Sequence, residues 1–163
     1  MPRASRKQNG LFHLDAPRCQ VMPLFTARGE KAWAPGWDPL MLSGEEERGS
    51  AFQTRHAAGQ VATWIVVDHR PSEGRASYAR LAQDSNVGLV DVLCTEAAGG
   101  GTNIDVTYTL TPLHAGAEGF VEEFLSPAHY ARMMEQWRDA TAAALAQGLP
   151  LAGAFPSECP CGD

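Results

Sequence analysis

Long apolar runs are missing from this 163-residue chain. The best, residues 61–67, has the length of a strand and falls far short of the ~18 apolar residues that cross a bilayer, so no membrane insertion is expected. An excess of positive charge is missing as well: 13 Lys and Arg face 19 Asp and Glu, for a formal net charge of −6. That balance argues against electrostatic binding to nucleic acid or to anionic membranes. The 16 glycines and 11 prolines are too few for a low-complexity or collagen-like chain. Cysteine is scarce, with 4 in all. Cys19 in an expected helix and Cys94 in an expected strand suit small buried hydrophobes. Cys159 and Cys161 flank Pro160 near the end, without the second, well-spaced pair that tetrahedral zinc requires. The histidines His13, His56, His69, His114 and His129 form no metal-ligand spacing either, so no metal and no cofactor are expected.

The start is basic, with Arg3, Arg6 and Lys7, like the opening of a secretory signal. No apolar stretch follows, because His13, Asp15, Arg18 and Gln20 interrupt it. The expectation is a soluble cytoplasmic protein with loose polar ends at 1–9 and 151–163. Apolar residues make up 44% of the chain, near the globular average, and a chain of this length can bury roughly 70% of its surface in one core. Residues 10–147 are read as one domain.

Residues 10–14 read as a first strand with Phe12 and Leu14 on one face. Asp15 and Pro17 then supply a helix start, and Val21, Leu24 and Phe25 an apolar stripe that Pro23 cuts short. A second helical turn falls near residues 29–33. Two prolines, a glycine and two indoles make residues 33–39 a loop, and residues 44–48 read as a solvated acidic turn. From residue 49 to 111 the period is two: 50–56, 61–69, 75–83, 87–96 and 102–111 each fit a strand, with Gly, Pro, Ser or Asn breaks between them. Connections this short allow only hairpins, so the sheet is an antiparallel meander. Residues 117–125 form a helix carrying Phe120, Phe124 and Leu125 on one side. Ser126 and Pro127 open a longer one, on which Tyr130, Met133, Met134, Trp137, Thr141, Ala144 and Leu145 recur at helical spacing.

This order of elements, together with Met22-Pro23-Leu24-Phe25-Thr26, Trp33-Ala34-Pro35-Gly36-Trp37-Asp38-Pro39, Thr63-Trp64-Ile65-Val66-Val67-Asp68 and Gly99-Gly100-Gly101-Thr102, resembles the SRPBCC (START-like) superfamily. Polyketide cyclases, lipid-transfer proteins and pollen-allergen-like proteins belong to it. The resemblance implies an α+β helix-grip fold. A curved antiparallel sheet of about six strands would wrap a long C-terminal helix, with two short helices after the first strand and an apolar cavity between sheet and helix. It implies no particular reaction, since one fold hosts many functions.

A bent sheet gripping one helix is not filled everywhere by that helix, which makes a cavity reasonable on physical grounds too. The residues expected to line it are Trp33 and Trp37 from the aromatic loop, and Phe52, Trp64, Val90, Val92, Val106 and Tyr108 from the sheet. The long helix adds Tyr130, Met133, Met134 and Trp137. Chemistry inside it would fall to His56, Tyr78, Arg80 or Tyr108, if strand alternation turns them inward to polarise a carbonyl or hold a carboxylate. Motifs for metalloproteases, serine hydrolases and nucleotide binding are absent, and Gly99–Gly101 joins two strands rather than cradling phosphate.

Three readings stand at this point. The first is a binding protein for a hydrophobic or aromatic small molecule, without covalent chemistry. The second is a cyclase- or dehydratase-like enzyme using the polar candidates. The third is an interaction module or homodimer meeting its partner through the outer sheet face, where Leu89 and Leu93 flank Asp91.

Overall fold

The computed structural model describes residues 2–56 and 59–148. Alternating burial runs along every long strand, and the strands form one seven-stranded antiparallel sheet. In chain order they are β1 (Arg6–Leu14), β2 (Leu40–Ser43), β3 (Ala51–Arg55), β4 (Val61–Arg70), β5 (Arg75–Ala82), β6 (Asn86–Glu96) and β7 (Thr102–Pro112). Across the sheet the order is β1-β7-β6-β5-β4-β3-β2, so the meander is closed on one side by the first strand pairing with the last. Bulges after Met41 and Val66 interrupt the register in β2 and β4, where they add bend and twist.

The inner face carries Phe52, Ala62, Trp64, Val66, Tyr78, Val90, Val92, Ile104, Val106, Tyr108 and Leu110, all buried. The outer face carries Thr107, Thr109 and Asp105 on β7, and more exposed aliphatics on β4 to β6: Ile65, Leu81, Val87 and Leu89. Leu89 is exposed as expected, whereas Leu93 is half-buried.

The helices are α1 (Arg18–Val21), α2 (Glu118–Phe124) and α3 (Pro127–Ala146). α3 starts as the sequence says it should: the Ser126 hydroxyl accepts from the His129 amide and Pro127 takes the first helical position. Tyr130, Met134, Thr141 and Ala144 are its buried residues. The Tyr130 hydroxyl donates to the Val106 carbonyl at 2.6 Å, which ties α3 to β7. Met134 packs over Gly10 of β1, where a Cβ would stand 2.4 Å from the Met134 Cγ. β1 can therefore approach the helix only because that position has no side chain.

Four local expectations are corrected. β1 begins at Arg6, inside the stretch expected to be a loose end, because Arg6 to Asn9 pair with Thr107 to Leu110. β2 was not expected, since Leu40 to Ser43 is an edge strand too short to show a period. Asp15 does not cap α1; its carboxylate lies 3.0 Å from the His13 ring, and Pro17 takes the cap position. Phe120 is exposed and stacks on Phe124, while Val121 is the buried residue of α2. The Cys159–Cys161 segment and the expected end at 151–163 lie outside the described residues.

Candidate functional site

Between the inner face of the sheet and α3, the covering material is the irregular segment that follows α1. Met22–Phe25 and Gly29–Ala32 are each one turn of 3-10 helix. The Thr26 hydroxyl donates to the Pro23 carbonyl and accepts from the Gly29 amide, and the Glu30 amide donates to the Thr26 carbonyl. Gly29 is required here, because a Cβ would lie 1.7 Å from the Pro23 oxygen. These bonds set the direction of Glu30 and of Trp33 one turn later.

Two aromatic walls result. On one side Trp33 meets Trp137 of α3 edge-on at 5.1 Å and Phe25 at 5.8 Å, and Tyr108 lies 6.4 Å from Trp137. On the other, Phe52 and Trp64 stack nearly parallel at 5.7 Å, with Trp37 across Trp64 at 5.6 Å and Tyr78 edge-on to Phe52. Between the walls is a cavity of about 420 Å³, within the range that holds small organic ligands. Val90 and Val92 form its floor, Ala27, Ala34 and Pro35 come from the covering segment, and Gln136 and Ala140 from α3.

Most polar tips in these walls are already committed to the protein. The indole N–H groups of Trp33 and Trp37 donate to the carbonyls of Leu24 and Ala27 at 2.7 and 2.6 Å. Trp64 donates to the Thr54 hydroxyl, and the Tyr78 hydroxyl to the Phe25 carbonyl at 2.7 Å. Burial pushes the Tyr78 and Tyr108 hydroxyls well above the usual tyrosine range, so both stay protonated.

Glu30 is different. Its side chain lines the cavity, and among the described residues its carboxyl has neither a hydrogen-bond nor an ion-pair partner. As a residue it is half-buried because the cavity reaches it, yet the surrounding protein desolvates the carboxyl and pushes its pKa up to about 8. The Glu46 carboxylate nearby adds to the shift. Glu46 belongs to the stretch expected to be a solvated turn, but one of its oxygens is buried without a partner and the other accepts from the Arg28 amide at 3.4 Å. Its own pKa is raised by burial, against the pull of the Arg28 and Ala27 amides.

Of the residues expected to line the cavity, Trp33, Trp37, Phe52, Trp64, Val90, Val92, Tyr108 and Trp137 do so. Val106 is buried beneath Tyr130, and Tyr130 and Met134 line the seam between α3 and β1 rather than the cavity. Met133 is half-buried against the core and does not line the cavity. The polar candidates are not brought together. His56 is exposed at the end of β3, and the Tyr78 proton is held by a backbone carbonyl. Arg80 turns to the inner face but does not line the cavity; its guanidinium lies 5.1 Å from the Trp64 ring centroid, with a buried Nε that has no partner. Burial lowers its pKa, against the opposing influence of Tyr108. Only Tyr108 both lines the cavity and has a hydroxyl without an internal partner among the described residues.

Glu30 was missed because a lone Glu in Arg28-Gly29-Glu30-Lys31 looks like any surface turn. The nearest signal was its place three residues before the first tryptophan of the aromatic loop.

The sequence matches no protein-family model and no curated protein. Solved structures do match. Norcoclaurine synthase from Thalictrum flavum superposes over 90% of this chain and 89% of its own, with a TM-score of 0.66 at 8% identity. Ara h 8.0201 matches over 89% of this chain and 97% of its own, with a TM-score of 0.63 at 12% identity. An uncharacterised protein from Rhizobium leguminosarum matches over 90% of this chain and 99% of its own, with a TM-score of 0.61 at 17% identity. The chain shares the helix-grip fold of these structures. At these identities the likeness is one of fold, so the helix-grip cavity must be interpreted from its own residues. Among the described residues no helix is long and apolar enough to cross a membrane, and no group of three or more His, Cys, Asp or Glu could hold a metal ion.

Proposed function

We propose that this protein binds an aromatic or otherwise hydrophobic small molecule in the cavity between sheet and α3, without covalent chemistry. The observation that carries the proposal is the cavity itself: about 420 Å³ between two aromatic walls, with the indoles of Trp33, Trp37 and Trp64 locked by hydrogen bonds. Locked walls favour binding, because little side-chain entropy is left to lose when a flat ligand enters. The ligand would lie between the Trp33–Trp137 pair and the Phe52–Trp64 stack.

An enzyme of the cyclase or dehydratase kind is the second reading. It is favoured by the unpartnered Glu30 carboxyl and Tyr108 hydroxyl in one cavity, two groups able to exchange a proton with a substrate, and by the fact that norcoclaurine synthase shares this fold. Against it, His56, Tyr78 and Arg80 contribute no free group to the cavity.

Native mass spectrometry of freshly purified protein, followed by titration with the neutral fluorophore phenylnaphthylamine, tests the binding reading. A copurifying small molecule, or fluorophore binding that is displaced by an added hydrophobic compound, is expected. A protein that emerges empty and ignores the fluorophore has a filled interior, and the proposal fails.

A further inference from the structure

We infer that the ligand of this cavity carries a basic nitrogen, protonated in water, and that Glu30 is the residue that selects it. The inference rests on the small-molecule reading above and specifies the chemical class of the ligand.

Three observations converge. The cavity walls are aromatic faces, and an organic cation is attracted to such faces by the negative charge over the ring. The ionisable side chain in the lining that can carry charge near neutrality is an acid, Glu30, and no Lys, Arg or His lines the cavity beside it. That acid is left without a counter-charge among the described residues, while the indole N–H groups of Trp33, Trp37 and Trp64 and the Tyr78 hydroxyl are satisfied internally. A desolvated carboxyl without a counter-charge keeps its proton, and only a ligand that supplies the charge lets it ionise. An ammonium group beside Glu30, with its hydrocarbon body between the walls, supplies both the missing charge and the missing donors.

Arg80 is the group that argues for the opposite sign. Its guanidinium sits over Trp64 and its charge is felt at Tyr108, but it is not part of the cavity lining. The titratable groups coupled to Glu30 are Glu46 in the loop after β2, Tyr78 on β5 and Tyr108 on β7. None of them supplies a positive charge.

In the empty cavity Glu30 holds its proton at neutrality, as burial dictates. Pairing with an ammonium group requires the carboxylate, so the proton leaves to solvent as the cation enters. Both the charge preference and the released proton can be measured.

The experiment titrates the full chain near pH 7 with three compounds of one shape: naphthylmethylamine, naphthylmethanol and naphthoate. The amine is expected to bind at least about tenfold tighter than the alcohol, with most of one proton released per amine bound, seen by calorimetry in buffers of different ionisation heat. In Glu30→Gln the amine should lose its advantage over the alcohol and its proton release. Tighter binding of naphthoate would assign the cavity to anions through Arg80 and overturn the inference. So would equal binding of amine and alcohol, or an amine preference that survives in Glu30→Gln. Should that variant not fold, the ranking and proton release of the unaltered protein decide the matter alone. Failure of all three compounds to bind overturns the small-molecule reading itself, and with it this one.

Discussion

Trp33 stands edge-on to Trp137 with ring centroids 5.1 Å apart, so the irregular segment after α1 and the long helix α3 share one aromatic contact. That contact makes the loop a wall of the cavity, because Trp33 is also bonded to the Leu24 carbonyl and packed on Phe25. Trp33 is only 8% exposed, as a core residue would be.

Replacing Trp33 with Ala should therefore cost stability on the scale of a core aromatic, about 3–5 kcal/mol, and weaken ligand binding at the same time. Urea denaturation followed by circular dichroism reads the first effect. A loss below about 1 kcal/mol would mean that the loop merely rests on the core.

Stability should fall as pH rises from mildly acid to mildly alkaline. In the unfolded chain Glu30 loses its proton near its ordinary value of 4.5, whereas in the fold burial and Glu46 keep it until about 8. The folded state holds the extra proton between those values, so this stabilising contribution is complete below the first and is lost as pH climbs towards the second. Glu46, raised for the same reason, bends the curve in the same direction. Urea midpoints near pH 5 and near pH 8 should differ by about 1–3 kcal/mol, and Glu30→Gln should flatten the profile and be the more stable protein at the alkaline end. A profile that rises with pH across this window would contradict the burial of Glu30.

Filling the cavity from α3 should block it. Ala140 lines it, and Ala140→Phe is expected to weaken phenylnaphthylamine binding about tenfold or more while the chain remains folded. Met133, half-buried on the same helix but not part of the lining, is the control: Met133→Leu should leave binding within about twofold. Equal effects of the two substitutions would mean that the probe binds somewhere else.

The seam between β1 and α3 should be intolerant of added volume. A methyl group at Gly10 would stand 2.4 Å from the Met134 Cγ and 2.9 Å from the Tyr130 Cε1, whereas nothing lies within 4 Å of one added at Gly99. Gly10→Ala should cost about 1–3 kcal/mol, and Gly99→Ala close to nothing. Thermal melts of the two variants side by side settle the comparison.

The strands, the long helix and its Ser126 cap were legible in the sequence because each rests on a local rule: alternation for one buried face, helical spacing for one stripe, a hydroxyl before a proline. Tyr108, Val90 and Val92 followed from alternation, and Trp33 and Trp37 from the need of an indole for partly apolar surroundings. Helical spacing alone could not say which side of α3 meets the cavity. The buried stripe is wide enough for Tyr130 and Met134 to pack at β1 while Trp137 and Ala140 face the cavity.

Glu30 was beyond reach of the sequence for a different reason. Its pattern is that of an exposed turn, and its chemistry comes from partners distant in the chain: Trp64 and Tyr78 from the sheet, Trp137 from the helix, Glu46 from the loop after β2. The sequence determined which segments become strands and helices and which faces are apolar, since backbone geometry converts residue spacing directly into sidedness. Only the tertiary structure decided which polar groups spend their hydrogen bonds inside the protein and which are left facing the cavity, because desolvation depends on everything packed nearby.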